Sequence, residues 1–96
     1  MPNAKGSVGG PNHAHQIVFY GLSTCIWCRR TREWLESAGL QFDYFYVDLL
    51  SGAEREAVLA EVRRWNPAVS FPTLVIDGAR SVVGYRVDEL KAALGI

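Results

Sequence analysis

The 96-residue sequence predicts one α/β domain in the order β-α-β-α-β-β-α, a four-stranded mixed sheet with helices on both faces. Three observations predict it. Short β-branched and aromatic runs alternate with helical patterns. The first strand–helix–strand unit demands a parallel pair joined by a right-handed crossover. The dipeptide Asp77-Gly78 folds the last two strands into a hairpin. Hydrophobic residues make up 49% of the chain, enough for a core at this length.

Residues 1–15 carry Pro2, Gly6, Gly9, Gly10 and Pro11, show no periodicity, and are expected to form a flexible N-terminal extension to a domain spanning 16–96. His13 and His15 fall in that tail, where solvent exposure is expected. Ile17-Val18-Phe19-Tyr20, ended by Gly21, predicts a buried strand. From about Cys25 to Ser37, Trp27, Thr31, Trp34, Leu35 and Ala38 recur at helical spacing between Arg29, Arg30, Arg32, Glu33 and Glu36. Ser23 or Thr24 would cap this helix and Gly39 would stop it. Phe42 to Asp48 predicts a second strand. Ser51-Gly52-Ala53-Glu54 has the form of a capping box and opens a helix to about Trp65, ended by Asn66-Pro67. Trp34 and Trp65 lie on apolar faces and are expected in the core. Pro72 precedes a third strand, Thr73 to Ile76, and Ser81 to Val83 returns as the fourth, broken by Gly84. Val87, Leu90 and Leu94 share one face of a last helix.

Ten basic residues balance ten acidic ones, so neither nucleic acid nor a membrane surface is an expected partner. No apolar run approaches the roughly 20 residues that span a bilayer. The charged-then-apolar plan of a secretory signal is also missing, which makes a cytoplasmic setting the expectation. Two cysteines are too few for a disulfide framework, and with two tail histidines they do not make a metal site. No metal and no required cofactor are expected.

Cys25-Ile26-Trp27-Cys28 stands where the first strand passes into the first helix. Unpaired amides and the helix dipole stabilise a thiolate there, which makes Cys25 both a nucleophile and a leaving group. Cys28, one turn further and more buried, can attack a mixed disulfide formed at Cys25. The other readings of a lone CxxC are half of a zinc site, which would need a dimer, or two inert packed cysteines. Ser70-Phe71-Pro72-Thr73 is the second signal: read locally, Pro72 is a trans residue opening a strand. Gly84-Tyr85-Arg86-Val87-Asp88 is the third. Its glycine permits close backbone approach, its helix offers free amides to a carboxylate, and Tyr85 and Arg86 are placed to meet a partner.

Over roughly Gln16 to Leu94 these motifs resemble the glutaredoxin family, and the resemblance implies the thioredoxin fold. It implies that Cys25 and Cys28 are catalytic and that the Phe71–Pro72 bond is cis beside Cys25. It also implies that Trp27, Phe71, Pro72, Gly84, Tyr85 and Asp88 contact substrate. Family members usually carry Pro and Tyr where Ile26 and Trp27 stand, often have a cation at the position of Leu22, and have a second glycine at Tyr85. The run Gly84 to Asp88 is similar to redoxins that serve ribonucleotide reductase, which draw on thioredoxin reductase and bind glutathione poorly. The segment from Arg63-Arg64-Trp65-Asn66-Pro67 into Ser70-Phe71-Pro72-Thr73 resembles glutaredoxin-like proteins of bacteria and archaea with varied reductants.

The expectation is therefore a monomeric thiol–disulfide oxidoreductase acting on protein or glutathione-mixed disulfides. Thioredoxin reductase or glutathione is the electron donor, and glutathione enters as co-substrate at most. The alternative is a dimeric iron–sulfur cluster carrier completed by glutathione. A binding module with idle cysteines is the third reading.

Overall fold

The computed structural model describes residues 3–96. Its elements are β1 (Lys5–Val8), β2 (Ile17–Gly21), α1 (Ile26–Ser37), β3 (Phe42–Tyr46), α2 (Gly52–Trp65), β4 (Thr73–Ile76), β5 (Arg80–Val83) and α3 (Val87–Leu94). A 3-10 turn at Val47–Leu49 joins β3 to α2. The sheet runs β1-β3-β2-β4-β5. β2 and β3 pair in parallel, as a crossover through α1 requires, and the other three pairings are antiparallel.

The sheet has five strands, not the expected four, and the fifth comes from the segment expected to be a flexible extension. Lys5–Val8 pairs with β3, setting Gly6 against Tyr44 and Val8 against Phe42. Backbone hydrogen bonds make this pairing, and no residue of β1 is fully buried, so hydrophobic patterning could not announce it. Gly6 leaves room for the Tyr44 side chain: a Cβ there would lie 2.9 Å from the hydroxyl. Lys5 pairs with Glu54 of α2, and Ser7 bonds Asp43 at 2.5 Å. Asn12 continues the contact by exchanging backbone bonds with Gly39 and Gln41, both at 2.9 Å. Met1 and Pro2, the rest of the expected extension, lie outside the described residues.

Alternation along β2 divides the core. Ile17 and Phe19 face α1 and α3, meeting Leu35, Leu74, Leu90 and Leu94. Val18 and Tyr20 face α2, with Val62 and Val75. Phe19 is fully buried and meets Phe42 and Tyr46 edge-on, at centroid distances of 6.4 and 6.2 Å. Helices thus cover both faces, as expected. Trp34 and Trp65 are half-buried at the margins of the two clusters, not inside them. The capping box at Ser51 does not form: the Ser51 side chain makes no capping bond, and Glu54 is drawn to Lys5 instead.

His15, expected in an exposed tail, is held at both ring nitrogens. Nδ1 lies 2.7 Å from the Asp77 carboxylate and Nε2 lies 3.0 Å from the Leu94 carbonyl. The other Asp77 oxygen accepts the Gln16 amide at 2.8 Å, and the Asp77 amide donates back to the Gln16 carbonyl at 2.7 Å. The bond to Asp77 raises the His15 pKa, opposed by desolvation and helped by the Asp77 charge and the Leu94 carbonyl. The same bond, with the Gln16 amide, lowers the pKa of Asp77. Two acceptors facing two ring nitrogens favour the imidazolium.

Two outcomes are expected. The stabilisation from His15 is fully present below its ordinary pKa of 6.5 and is lost as pH rises through its higher folded value. That from Asp77 is present above 3.8 and is lost in acid, so the clasp is strongest between these values. Urea melts of wild type and His15→Ala should therefore differ most between the two ordinary values, 3.8 and 6.5, and draw together as pH rises through the higher folded value of His15. A gap that is constant across that range would contradict the charged clasp. Phe19→Ala should cost about 3–5 kcal/mol in the same assay.

Candidate active site

β2 delivers the chain to the thiols through a position only glycine fits. A Cβ on Gly21 would lie 2.8 Å from the Phe19 ring and 3.4 Å from the Cys28 Cβ. The chain then turns, with the Cys25 amide donating to the Leu22 carbonyl at 3.3 Å. Helix α1 starts immediately after. Its cap is Cys25, not the expected Ser23 or Thr24: the backbone is extended there (φ −90°, ψ 120°), and Sγ accepts the Cys28 amide at 3.3 Å. Ser23 is turned elsewhere: its amide, at 2.8 Å, and its hydroxyl both donate to the Asp48 carboxylate.

The two thiols differ sharply. Cys25 is partly exposed and Cys28 is completely buried; neither is bridged. Cys28 Sγ accepts the Leu22 amide at 3.5 Å. Burial, first, and hydrogen bonding to Cys25, second, push the Cys28 thiol up to about 12, against the pull of the Leu22 amide. The charges of Cys25 and Asp48 add to the rise.

Asp48 was legible only as the end of a strand. It sits just beyond the carboxyl end of β3, beside the parallel strand that carries the cysteines, where α/β sheets place their ligand sites. Desolvation opposes its charge, but the Ser23 hydroxyl and amide outweigh that and lower its pKa. Asn66 was also missed as more than a helix end. Buried below the next loop, it donates to the Ser70 carbonyl and hydroxyl at 3.1 and 3.0 Å and to Thr73 Oγ1 at 3.2 Å.

That loop ends in a cis Phe71–Pro72 bond, which the family resemblance implies and local sequence does not. Pro72 is buried, and its carbonyl accepts the Gly84 amide at 2.8 Å. Neither the amide nor the carbonyl of Phe71 has a backbone partner among the described residues. Gly84 takes φ +87°, a conformation that disfavours any side chain. Trp27, Phe71, Pro72, Gly84, Tyr85 and Arg86 line one groove of about 360 Å³. The Trp27 and Tyr85 rings stack across it, 5.8 Å apart and inclined by 26°. Of the expected contact residues, Asp88 alone lies outside, in an adjoining hollow with Tyr85, Arg86, Val87 and Glu89. Arg29 shares a smaller hollow of about 150 Å³ with Ser23, Thr24, Cys25 and Ile26. Arg30 lies over the Trp27 ring, 5.0 Å from its centroid.

Among the described residues, no three His, Cys, Asp or Glu side chains come together to hold a metal ion. None of their helices is long and apolar enough to cross a membrane.

Comparison with known proteins agrees with this geometry. The family model described as glutaredoxin matches residues 17–80. The chain is 31% identical over 74 residues to the gene 56 protein of Mycobacterium phage D29, covering 77% of each. It is 33% identical over 75 residues to an uncharacterized glutaredoxin-like 8.6 kDa protein in the rubredoxin operon of Clostridium pasteurianum, covering 77% of this chain and 91% of that one. The solved structure of the glutaredoxin from Methanosarcina mazei Go1 superposes with a TM-score of 0.91 at 42% identity, over 98% of this chain and 90% of that one. Methanoredoxin from Methanosarcina acetivorans gives 0.81 at 42% identity, over 84% and 85%. By sequence match, fold and the order of its motifs, the chain belongs to the glutaredoxin family and has a thioredoxin-like fold.

Proposed function

We propose that the protein is a dithiol oxidoreductase that reduces protein disulfides, with Cys25 attacking and Cys28 resolving. The asymmetry of the two thiols carries this reading: Cys25 is reachable and faces an amide donor, whereas Cys28 is buried and held protonated. Cys25 thiolate attacks one sulfur of the substrate disulfide, forming a mixed disulfide and expelling the other sulfur as thiolate, which takes a proton from water. Cys28 then loses its proton and attacks Cys25 Sγ. The internal disulfide forms, the second substrate thiolate leaves, and two electrons have passed to the substrate. An external dithiol or flavoprotein reductant restores the pair.

The free Phe71 amide and carbonyl form a ledge on which an extended substrate segment pairs like an added strand. Glutathione is a poor match. Its two carboxylates need two polar partners, and on the Cys25 side Leu22 stands where the family often has a cation, which leaves Arg29 of the neighbouring hollow as the replacement. The loss of one charge-assisted bond is worth about 1.5–3 kcal/mol, or about ten- to a hundredfold in affinity. Tyr85, stacked on Trp27, occupies the space a second glycine would leave open. Thioredoxin reductase or a similar flavoprotein is therefore the proposed donor, and a cytoplasmic monomer the proposed state.

Cys25→Ser should abolish disulfide reduction, and Cys28→Ser should accumulate a mixed disulfide visible by mass spectrometry. Equal alkylation of the two thiols at neutral pH would overturn the assignment. Asp48→Ala frees both Ser23 donors and should slow turnover at least about threefold by loosening the turn that places both sulfurs; unchanged turnover would remove Asp48 from the site. Turnover with thioredoxin reductase should exceed turnover with glutathione and its reductase on the same disulfide. Micromolar glutathione binding with efficient turnover would reverse the donor assignment, and a coloured, dimeric preparation would favour the cluster carrier.

A further inference from the structure

Four large apolar side chains are exposed among the described residues: Ile26 (52%), Trp27 (50%), Tyr85 (38%) and the chain-end Ile96 (52%). The first three gather at the Cys25–Cys28 turn and the groove beside it. Clustered exposed apolar groups of this kind mark a surface that another molecule covers. Trp, Tyr and Arg are also the residue types that carry most binding energy in protein interfaces.

The charge around this surface has a direction. Arg29 and Arg30, on α1, enter no ion pair among the described residues. At the other end Arg86 is engaged by Glu89 at 3.3 Å, and Asp88 lies in the same hollow. Glu33 and Asp48 stand near Arg29, so the cation at the Trp27 side of the groove is Arg30, over the ring, and the end beyond Tyr85 is neutral to acidic. A tripeptide thiol bearing two carboxylates and an ammonium has little apolar surface with which to cover two rings. A protein segment has the side chains to do so.

We infer that the Trp27–Tyr85 groove docks an extended segment of the disulfide-bearing protein, with a large apolar side chain beside its cysteine against the two rings and a carboxylate reaching Arg30. This rests on the dithiol reading above and specifies its substrate. The Phe71 ledge supplies main-chain pairing without sequence preference, the groove selects the apolar neighbour, and Arg30 selects the acid.

The test uses two short peptides that differ only beside a central cysteine: phenylalanine and aspartate in one, serine and lysine in the other. Each is presented as its mixed disulfide with thionitrobenzoate, and the release of that chromophore by the reduced protein is timed. The phenylalanine–aspartate peptide should react at least about tenfold faster, and added salt should narrow the gap. Arg30→Glu should shift the ratio towards the lysine peptide, and Trp27→Ala should shrink it towards one. A parallel NMR titration uses peptides with serine in place of cysteine, so that docking is read without chemistry. The acidic, aromatic peptide should move the Trp27 indole and Tyr85 ring signals, and the other should not. Equal rates with no differential shift would overturn the docking site and leave the dithiol reading standing. Selective shifts without chromophore release would uphold the docking site and overturn the dithiol reading.

Discussion

One hydrogen bond, from the Cys28 amide to the Cys25 sulfur, fixes where the first helix begins and so where both thiols lie. Serine and threonine are the stronger caps in general, and both precede Cys25. They do not serve here: Ser23 is turned towards Asp48, and the turn closed by the Cys25 amide on the Leu22 carbonyl brings Cys25 to the cap position. The helix therefore opens on a sulfur acceptor. The Cys28 amide points at the Cys25 sulfur, and Cys28 itself is carried inward, beneath the end of β2.

Burial then sets two chemically identical groups apart. Gly21 lets Phe19 and Cys28 approach the strand end, so Cys28 is sealed on the side where water would otherwise solvate its thiolate. A thiol raised to about 12 is a poor nucleophile until a reaction brings an electrophilic sulfur to it. In the proposed reaction the mixed disulfide at Cys25 is such an electrophile, one helical turn away. The core reaches the site through Phe19, which meets Phe42 and Tyr46 and shares a buried cluster with Cys28.

Much of this was legible in sequence because it depends on local chemistry. The strand entering Cys25, the spacing of the cysteines, the Asp77-Gly78 hairpin and the final helix from Val87 to Leu94 all follow from periodicity and turn residues. What escaped depends on partners distant in the chain. β1 is a polar strand defined by backbone pairing to Tyr44 and Phe42, with an apolar content too small to read. The Ser51 capping box has the right letters, but Glu54 finds Lys5, 49 residues away, and leaves the cap unmade. His15 looks like tail until Asp77 and Leu94 arrive from the far end of the sequence. Asp48 and Asn66 act through Ser23, Ser70 and Thr73, bonds that no periodicity encodes.

Both margins of the sheet are short, four residues each, and each begins with a charged residue: Lys5 on β1 and Arg80 on β5. Such strands are weak templates for another chain, because long cationic side chains hinder edge-to-edge association. The proposed reaction lays foreign extended polypeptide against the protein's own backbone, and a protein that does so risks pairing in the wrong place and becoming a seed for aggregation. With these margins blunted, the Phe71 amide and carbonyl, which have no backbone partner among the described residues, are left as the place where the proposed reaction would seat a visiting strand.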